Sequence, residues 1–181
     1  MRLFIAVDLP PLSVPASSPR APERHLTLRF LGETPPERIV PLRGAILRAA
    51  AGLVEFPMAI GGGGAFPEVT RPRVVWAGVT EGRDRLLELE HRLAAELAAA
   101  GSPEERPFVP HVTILRVRGA VGSGVARRVL DELQDRELGR TVVREIVLYE
   151  SRLGPEGAEH RPLARAPLQA RGPDAASAPS Q

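Results

Sequence analysis

Two short stretches of the chain place a histidine two residues before a threonine: HLTL at residues 25–28 and HVTI at residues 111–114. The chain has only 4 histidines, so half of them belong to this pattern. An imidazole gives and takes protons near neutral pH, and a threonine hydroxyl is a neutral hydrogen-bond donor. Two such pairs brought together predict an acid–base site around an anion, in which one histidine is protonated and the other is neutral.

The residues around both motifs are typical of strands (HLTLRFL and HVTILRV). Side chains at positions i and i+2 of a strand share one face and lie about 7 Å apart. Each motif therefore directs its histidine and threonine to the same side. The apolar residues at the second and fourth motif positions then face the core. We expect the two strands to face each other and to form one site.

Three neighbouring residues are further candidates for this site. Arg29 lies on the same strand face as the first motif, so it either reaches a phosphate or is an exposed surface arginine. Arg116 follows the second motif at an odd offset and should point away unless the strand bends. Phe108, just before the second motif, is a candidate for stacking on a base.

Other residues that could carry chemistry have simpler interpretations. His91 falls on the polar face of a predicted helix, and His160 lies near the end of the chain, so both are predicted to be incidental to the site. The glycine run 61–64 is not followed by the lysine and Ser/Thr of a phosphate-binding loop, which favours a flexible turn. Trp76 lies in an apolar strand and is assigned to the core.

Composition excludes several classes of mechanism. Without cysteine there is no thiolate nucleophile and no cysteine-based zinc site, and no HExxH or His-x-His motif is present, so we expect no metal. All 24 basic residues are arginine, which excludes Schiff-base and lysyl-adenylate chemistry. The small excess of arginine favours a phosphate-bearing partner. No stretch resembles a signal peptide or a membrane span, so we expect a cytoplasmic protein with no membrane partner.

The order of predicted elements repeats once along the chain: strand, connection, motif strand, helix, strand. In the first half we expect a strand at 3–7, a loop at 10–24 and a helix that starts late or bends near Pro41. In the second half the predicted elements are a strand at 74–79, a helix at 82–100, a helix ending near 133 and a final strand at about 142–149.

This repeat predicts an α+β fold of two pseudo-symmetric lobes. Each lobe is a small antiparallel β-sheet with outer helices, and the active-site cleft lies between the lobes. We expect one domain over residues 1–170, with halves at about 1–70 and 71–170. The tail 171–181 has too little apolar content to pack and is predicted to be disordered.

The chain resembles the 2H phosphoesterase superfamily, specifically its RNA 2',3'-cyclic phosphodiesterase branch, long also called 2'-5' RNA ligase. The resemblance rests on both motifs with their flanks in order, in the segments MRLFIAVDLP, RHLTLRFLGE and RPFVPHVTILRVRG. It runs over nearly the whole chain, to about residue 168.

The resemblance implies hydrolysis, without metal or cofactor, of a 2',3'-cyclic phosphate on RNA or a nucleotide, leaving a 2'-phosphate. By the family's pattern His25 is the proton donor to the leaving 3'-oxygen, and His111 is the proton acceptor from the attacking water. Thr27 and Thr113 would hold the phosphate oxygens. The residue types by themselves leave open which histidine plays which role.

The chain departs from the family pattern in the segment 10–24, which is too short and too rich in proline for the amphipathic helix that members usually carry there. The first lobe is therefore predicted to lack one covering helix. His160 stands where relatives often have a tyrosine. We expect a monomer. Open alternatives are 2'-5' RNA ligation, a phosphodiesterase for small cyclic nucleotides with the same site, and a non-catalytic RNA-binding module.

Overall fold

The structure, a computed structural model, describes residues 1–18, 24–102, 107–117, 122–154 and 157–172. Its strands are β1 (Arg2–Asp8), β2 (His25–Glu33), β3 (Phe56–Phe66), β4 (Val74–Glu81), β5 (Val112–Arg116), β6 (Glu137–Val143), β7 (Glu145–Gly154) and β8 (Gly157–Pro167). Its helices are α1 (Ile39–Ala50), α2 (Arg83–Ala99) and α3 (Gly122–Leu133), with a 3-10 turn at Pro36–Arg38 before α1.

The strands form two four-stranded antiparallel sheets. Sheet 1 has the order β2-β1-β7-β8, and sheet 2 has the order β5-β4-β3-β6. The two motif strands, β2 and β5, are thus edge strands, and these two edges contact each other. The predicted α+β fold with two antiparallel sheets is confirmed, and both motifs lie where the sheets meet.

Each sheet draws strands from both halves of the chain. Strand β3 pairs with β4 in sheet 2, whereas β7 and β8 join β1 in sheet 1. The expected halves 1–70 and 71–170 therefore do not correspond to the two sheets. Because β3 and β4 are joined by a short connection, they pair as sequential strands usually do. The order of elements along the chain does not reveal such pairing.

The helices cover the outer faces of the sheets. Helix α1 packs on β7 and β8 and lies beside α2, while α3 packs on β3 and β4. Helix α1 begins at Ile39, after the 3-10 turn, and Pro41 falls in its first turn, where a missing N–H removes no helical hydrogen bond. None of the described helices is long and apolar enough to span a membrane.

Residues 9–18 contain no helix; residues 9–15 run without regular structure past the edge of sheet 2, and a turn follows at residues 16 and 17. The Ser13 N–H donates to the Leu138 carbonyl at 2.7 Å, and the side chains of Leu9 and Leu12 pack against the core. The predicted absence of a helix between β1 and the first motif strand is therefore confirmed for the described residues of this segment. The segment contributes its apolar side chains without forming a helix. Residues 19–23 lie outside the described ranges.

The carboxyl-terminal part contains three strands where the sequence predicts one at about 142–149. Strand β8 was missed because its polar residues and Pro162 argue against a strand. It lies at the edge of sheet 1, where proline is tolerated. Apart from residues 171 and 172, the tail predicted to be disordered lies outside the described residues.

Candidate active site

Both motif strands carry a β-bulge at the same motif position. In the pairing of β1 with β2, Ala6 lies opposite Thr27 and Ile5 opposite Arg29, so Leu28 is the extra residue. In the pairing of β4 with β5, the register shifts in the same way, and the extra residue is Ile114. Bulges near active sites redirect the side chains that follow them. The two motifs therefore match in backbone geometry as well as in residue type.

The apolar motif residues occupy the core as expected. Leu26, Leu28, Val112 and Ile114 are all buried. On the opposite side of the strands, His25 and Thr27 are half-buried, and so is His111. Thr113 is more enclosed, with 8% of its surface exposed. The alternation thus leaves both histidines accessible while their neighbours anchor the strands.

His111 is held in a defined orientation and tautomer. Its Nδ1 lies 2.7 Å from the carbonyl oxygen of Val109, and because a carbonyl only accepts, Nδ1 carries the hydrogen. In the neutral ring the lone pair is then on Nε2. The imidazole also meets the ring of Phe66 edge-on at 5.0 Å between centroids, and Trp76 lies at 6.1 Å. These contacts leave Nε2 as the atom that can accept a proton.

The glycine run 61–64 lies within strand β3 and is not a turn, contrary to the sequence interpretation. A side chain on Gly64 would place Cβ 2.2 Å from the ring of Trp76. Gly62 has a φ of 67°, which only glycine adopts readily, at an irregularity of the β3–β4 pairing. The absence of a side chain at Gly64 therefore leaves room for the Trp76 ring, which lies near His111.

A groove of about 340 Å³ brings residues of the two sheets together. Its walls include Thr27, Arg29 and Phe30 from β2, together with Phe66, Phe108 and His111. Thr27 of the first motif and His111 of the second therefore open onto the same space. Phe108, predicted to stack on a base, lines this groove.

The sequence left Arg29 as either a phosphate ligand or an exposed surface arginine. It borders the groove, but it is buried, with 6% of its surface exposed. Its guanidinium forms an ion pair with Glu90 of α2. Glu90 is also buried, so the pair lies at low dielectric and each charge compensates the other. Arg29 thereby connects the first motif strand to α2.

His25 lies in an aromatic cluster on the face of sheet 1. Its ring centroid is 5.0 Å from those of Phe4 and His160, and 6.5 Å from that of Tyr149. His160, interpreted as incidental, thus packs against His25. The sequence did not predict this contact, because it did not indicate strand β8. The available signal was that His160 stands where relatives often have a tyrosine.

The Tyr149 hydroxyl donates a hydrogen bond to the Asp8 carboxylate at 2.6 Å, beside His25. Asp8 lies opposite His25 in the pairing of β1 with β2, and Arg165 lies 3.7 Å from its other oxygen. Burial and the bond to Asp8 raise the pKa of Tyr149 above its ordinary value. Tyr149 is therefore a neutral donor throughout the working pH range.

This environment gives a direct titration test, because Tyr149 is the only tyrosine of the chain. We expect phenolate absorbance to appear at higher pH in the folded protein than in the guanidinium-unfolded chain, where the pKa is about 10. A pKa raised by folding means that the unfolded state releases its proton first, so this group lowers stability as pH rises above about 10. Asp8→Asn should shift the folded titration part of the way down. Equal titration in both states would contradict the burial of Tyr149.

The remaining predicted residues lie away from these contacts. Arg116 is exposed at the end of β5 and lines neither the groove nor the space beside His25. His91 is exposed on α2, as predicted. Within the described ranges, no group of three or more His, Asp or Glu side chains is placed to hold a metal ion.

Comparison with protein families matches residues 13–155 to the 2'-5' RNA ligase superfamily. One similar protein, from Aeropyrum pernix, is named RNA 2',3'-cyclic phosphodiesterase and is 37% identical over 140 residues, covering 77% of this chain and 78% of the relative. Another of that name, from Methanothermobacter thermautotrophicus, is 33% identical over 133 residues, covering 74% and 72%.

Solved structures show the same similarity. Escherichia coli LigT complexed with 3'-AMP superposes with a TM-score of 0.68 at 26% identity, covering 92% of this chain and 97% of that one. TT0787 of Thermus thermophilus superposes with a TM-score of 0.67 at 28% identity, covering 95% and 100%. The sequence match includes both histidine motifs, and the structural match covers nearly the whole fold. The chain therefore belongs to the 2'-5' RNA ligase superfamily.

Proposed function

We propose that this enzyme hydrolyses the 2',3'-cyclic phosphate at an RNA end or on a nucleotide and leaves a 2'-phosphate. The observation that carries the proposal is the meeting of the two motif strands at adjacent sheet edges, with matching bulges. Thr27 and His111 line one groove, so residues of both motifs can act on one substrate. Relatives of the same superfamily are named for this reaction.

In the proposed mechanism the two histidines take the roles that the family pattern gives them, and the orientation of His111 supports its part. His111 Nε2 accepts a proton from a water molecule, whose oxygen attacks the phosphorus atom. The bond from phosphorus to O3' breaks as the new bond from phosphorus to the water oxygen forms, and His25 donates its proton to O3'. The product carries the phosphate on O2', and proton exchange with solvent restores both rings.

Thr27 and Thr113 donate hydrogen bonds to the non-bridging phosphate oxygens in this mechanism. Such bonds become stronger as negative charge builds up in the transition state. Arg29 adds positive charge at the groove wall, reduced by its ion pair with Glu90. Phe108 stacks on the base of the terminal nucleotide, because it lines the same groove as Thr27 and His111.

The test is turnover of an RNA oligonucleotide that ends in a 2',3'-cyclic phosphate, with EDTA present, under conditions that separate 2'- from 3'-phosphate products. We expect a 2'-phosphate at the same rate with and without EDTA, because the proposed mechanism uses only side chains. A 3'-phosphate product, or activity lost with EDTA and restored by a divalent metal, would contradict the mechanism. Oligonucleotide that is bound but never cleaved would favour the RNA-binding module. A 5'-hydroxyl RNA added to the reaction reports 2'-5' joining by the same site.

A further inference from the structure

A second depression, which we call the side pocket, opens beside His25 and has a volume of about 330 Å³. It shares no lining residue with the groove that contains Thr27 and His111. Its walls are Asp8 at the end of β1 and Leu9 after it, Arg24 just before β2 and His25 at its start, Tyr149 of β7 and His160 of β8. The proposed mechanism uses only one of these residues, His25.

The charges in the side pocket suit an anion. Arg24 and His160 are both exposed at its walls, and His25 adds a second imidazole. The one carboxylate that lines it, Asp8, already accepts a hydrogen bond from Tyr149 and lies 3.7 Å from the Arg165 guanidinium. Arg165 is itself paired with Glu145, so it compensates two carboxylates. Arg24 and His160 therefore remain as the cationic groups that face the open space.

We propose that the side pocket binds the phosphodiester on the 5' side of the terminal nucleotide, so that RNA ends are preferred over nucleoside cyclic phosphates. This inference rests on the proposed function and on the role of His25 as proton donor to O3'. In RNA the leaving O3' is joined to that upstream phosphate through C3', C4', C5' and O5' of a single ribose. When O3' contacts His25, the upstream phosphate lies one ribose away, and the space beside His25 is the side pocket.

Arg24 and His160 hold this phosphate in different ways. Arg24 offers the phosphate a planar guanidinium with several N–H donors, whereas His160 offers an imidazole N–H. His160 also packs on Phe4, with 4.9 Å between the ring centroids. A phenylalanine at this position keeps a ring on Phe4 but gives the phosphate no charge and no hydrogen bond.

The experiment compares adenosine 2',3'-cyclic phosphate with the same compound carrying a 5'-phosphate. We expect the purified parent enzyme to turn over the 5'-phosphorylated compound with a kcat/KM about tenfold higher, the effect of one charge-assisted contact. This ratio should fall to near one in Arg24→Ala and in His160→Phe. His160→Arg, which keeps a hydrogen-bond donor and a positive charge at this position, should retain the preference.

Arg161→Ala is the matched control. Arg161 follows His160 on β8 and faces the opposite side of the strand, so it loses the same type of charge outside the pocket. We expect this variant to keep the parental ratio. Equal turnover of the two compounds by the parent would overturn the side-pocket assignment while leaving the phosphodiesterase activity established. A parental preference that survives in both Arg24→Ala and His160→Phe would also overturn it. Failure of the proposed function differs from both, since neither compound would then be hydrolysed.

Discussion

Replacing His111 with alanine is expected to lower kcat by about 10²–10⁴-fold, the contribution of a positioned general base. The parent should show a bell-shaped pH profile, because the proposed mechanism requires a neutral His111 and a protonated His25. The fall at low pH comes from protonation of the base. The residual activity of His111→Ala should therefore lose this acidic limb and keep the alkaline one. Measurement of kcat against pH on a cyclic-phosphate oligonucleotide tests the assignment.

The matching variant His25→Ala should show a similar loss of activity with the opposite change in profile. Removal of the proton donor abolishes the fall at high pH, so the alkaline limb disappears and the acidic one remains. His91→Ala, on the exposed face of α2, is the control and should keep the parental rate and profile. If each variant lost the limb assigned to the other, the roles of the two histidines would be exchanged. A parental rate that only rises with pH would exclude an acid–base pair.

The second large effect concerns stability. Glu90→Ala should lower the free energy of unfolding by about 3–5 kcal/mol, because it removes the carboxylate that pairs with the buried Arg29 charge. Glu96→Ala, on the same helix, breaks the more exposed pair with Arg48 and should cost less than about 1 kcal/mol. Urea unfolding of the two variants provides the comparison.

A double variant separates the ion pair from simple loss of packing. Arg29→Met combined with Glu90→Ala removes both charges, so it should recover much of the stability lost in Glu90→Ala. We expect this double variant to be more stable than Glu90→Ala but less active than the parent, since Arg29 borders the groove. If Glu90→Ala and Glu96→Ala were equally mild, the Arg29–Glu90 pair would contribute little to holding α2 against sheet 1.

The strands and helices closest to the motifs were predictable because their residue periodicity is strong. The alternation around residues 25–28 and 111–114 correctly predicted two strands with buried Leu26 and Val112. The leucine stripe of α2 followed from the same kind of pattern, with Leu86, Leu89, Leu93 and Leu97 all buried. The equivalent bulges at Leu28 and Ile114 add a structural match that residue types do not encode.

The features that the sequence did not reveal depend on distant partners. His160 packs on His25 because β8 pairs with β7, and an edge strand with polar residues and proline has no clear alternating pattern. The burial of Arg29 depends on Glu90, which lies 61 residues away in the chain. The glycine run 61–64 was interpreted as a turn because local composition does not show that Trp76 needs the space.

The pairing of β1 with β7 has a consequence for synthesis of the enzyme. On the ribosome, β1 and β2 emerge long before β7 and β8, so the first motif exists for a time as half of a sheet. Pairings between such distant segments form slowly because a long loop must close first. A nascent chain interrupted before β7 would carry both histidine motifs and still lack the strands that support His25. Catalytic competence is thus acquired late, when the carboxyl-terminal strands complete the sheet that the amino terminus began.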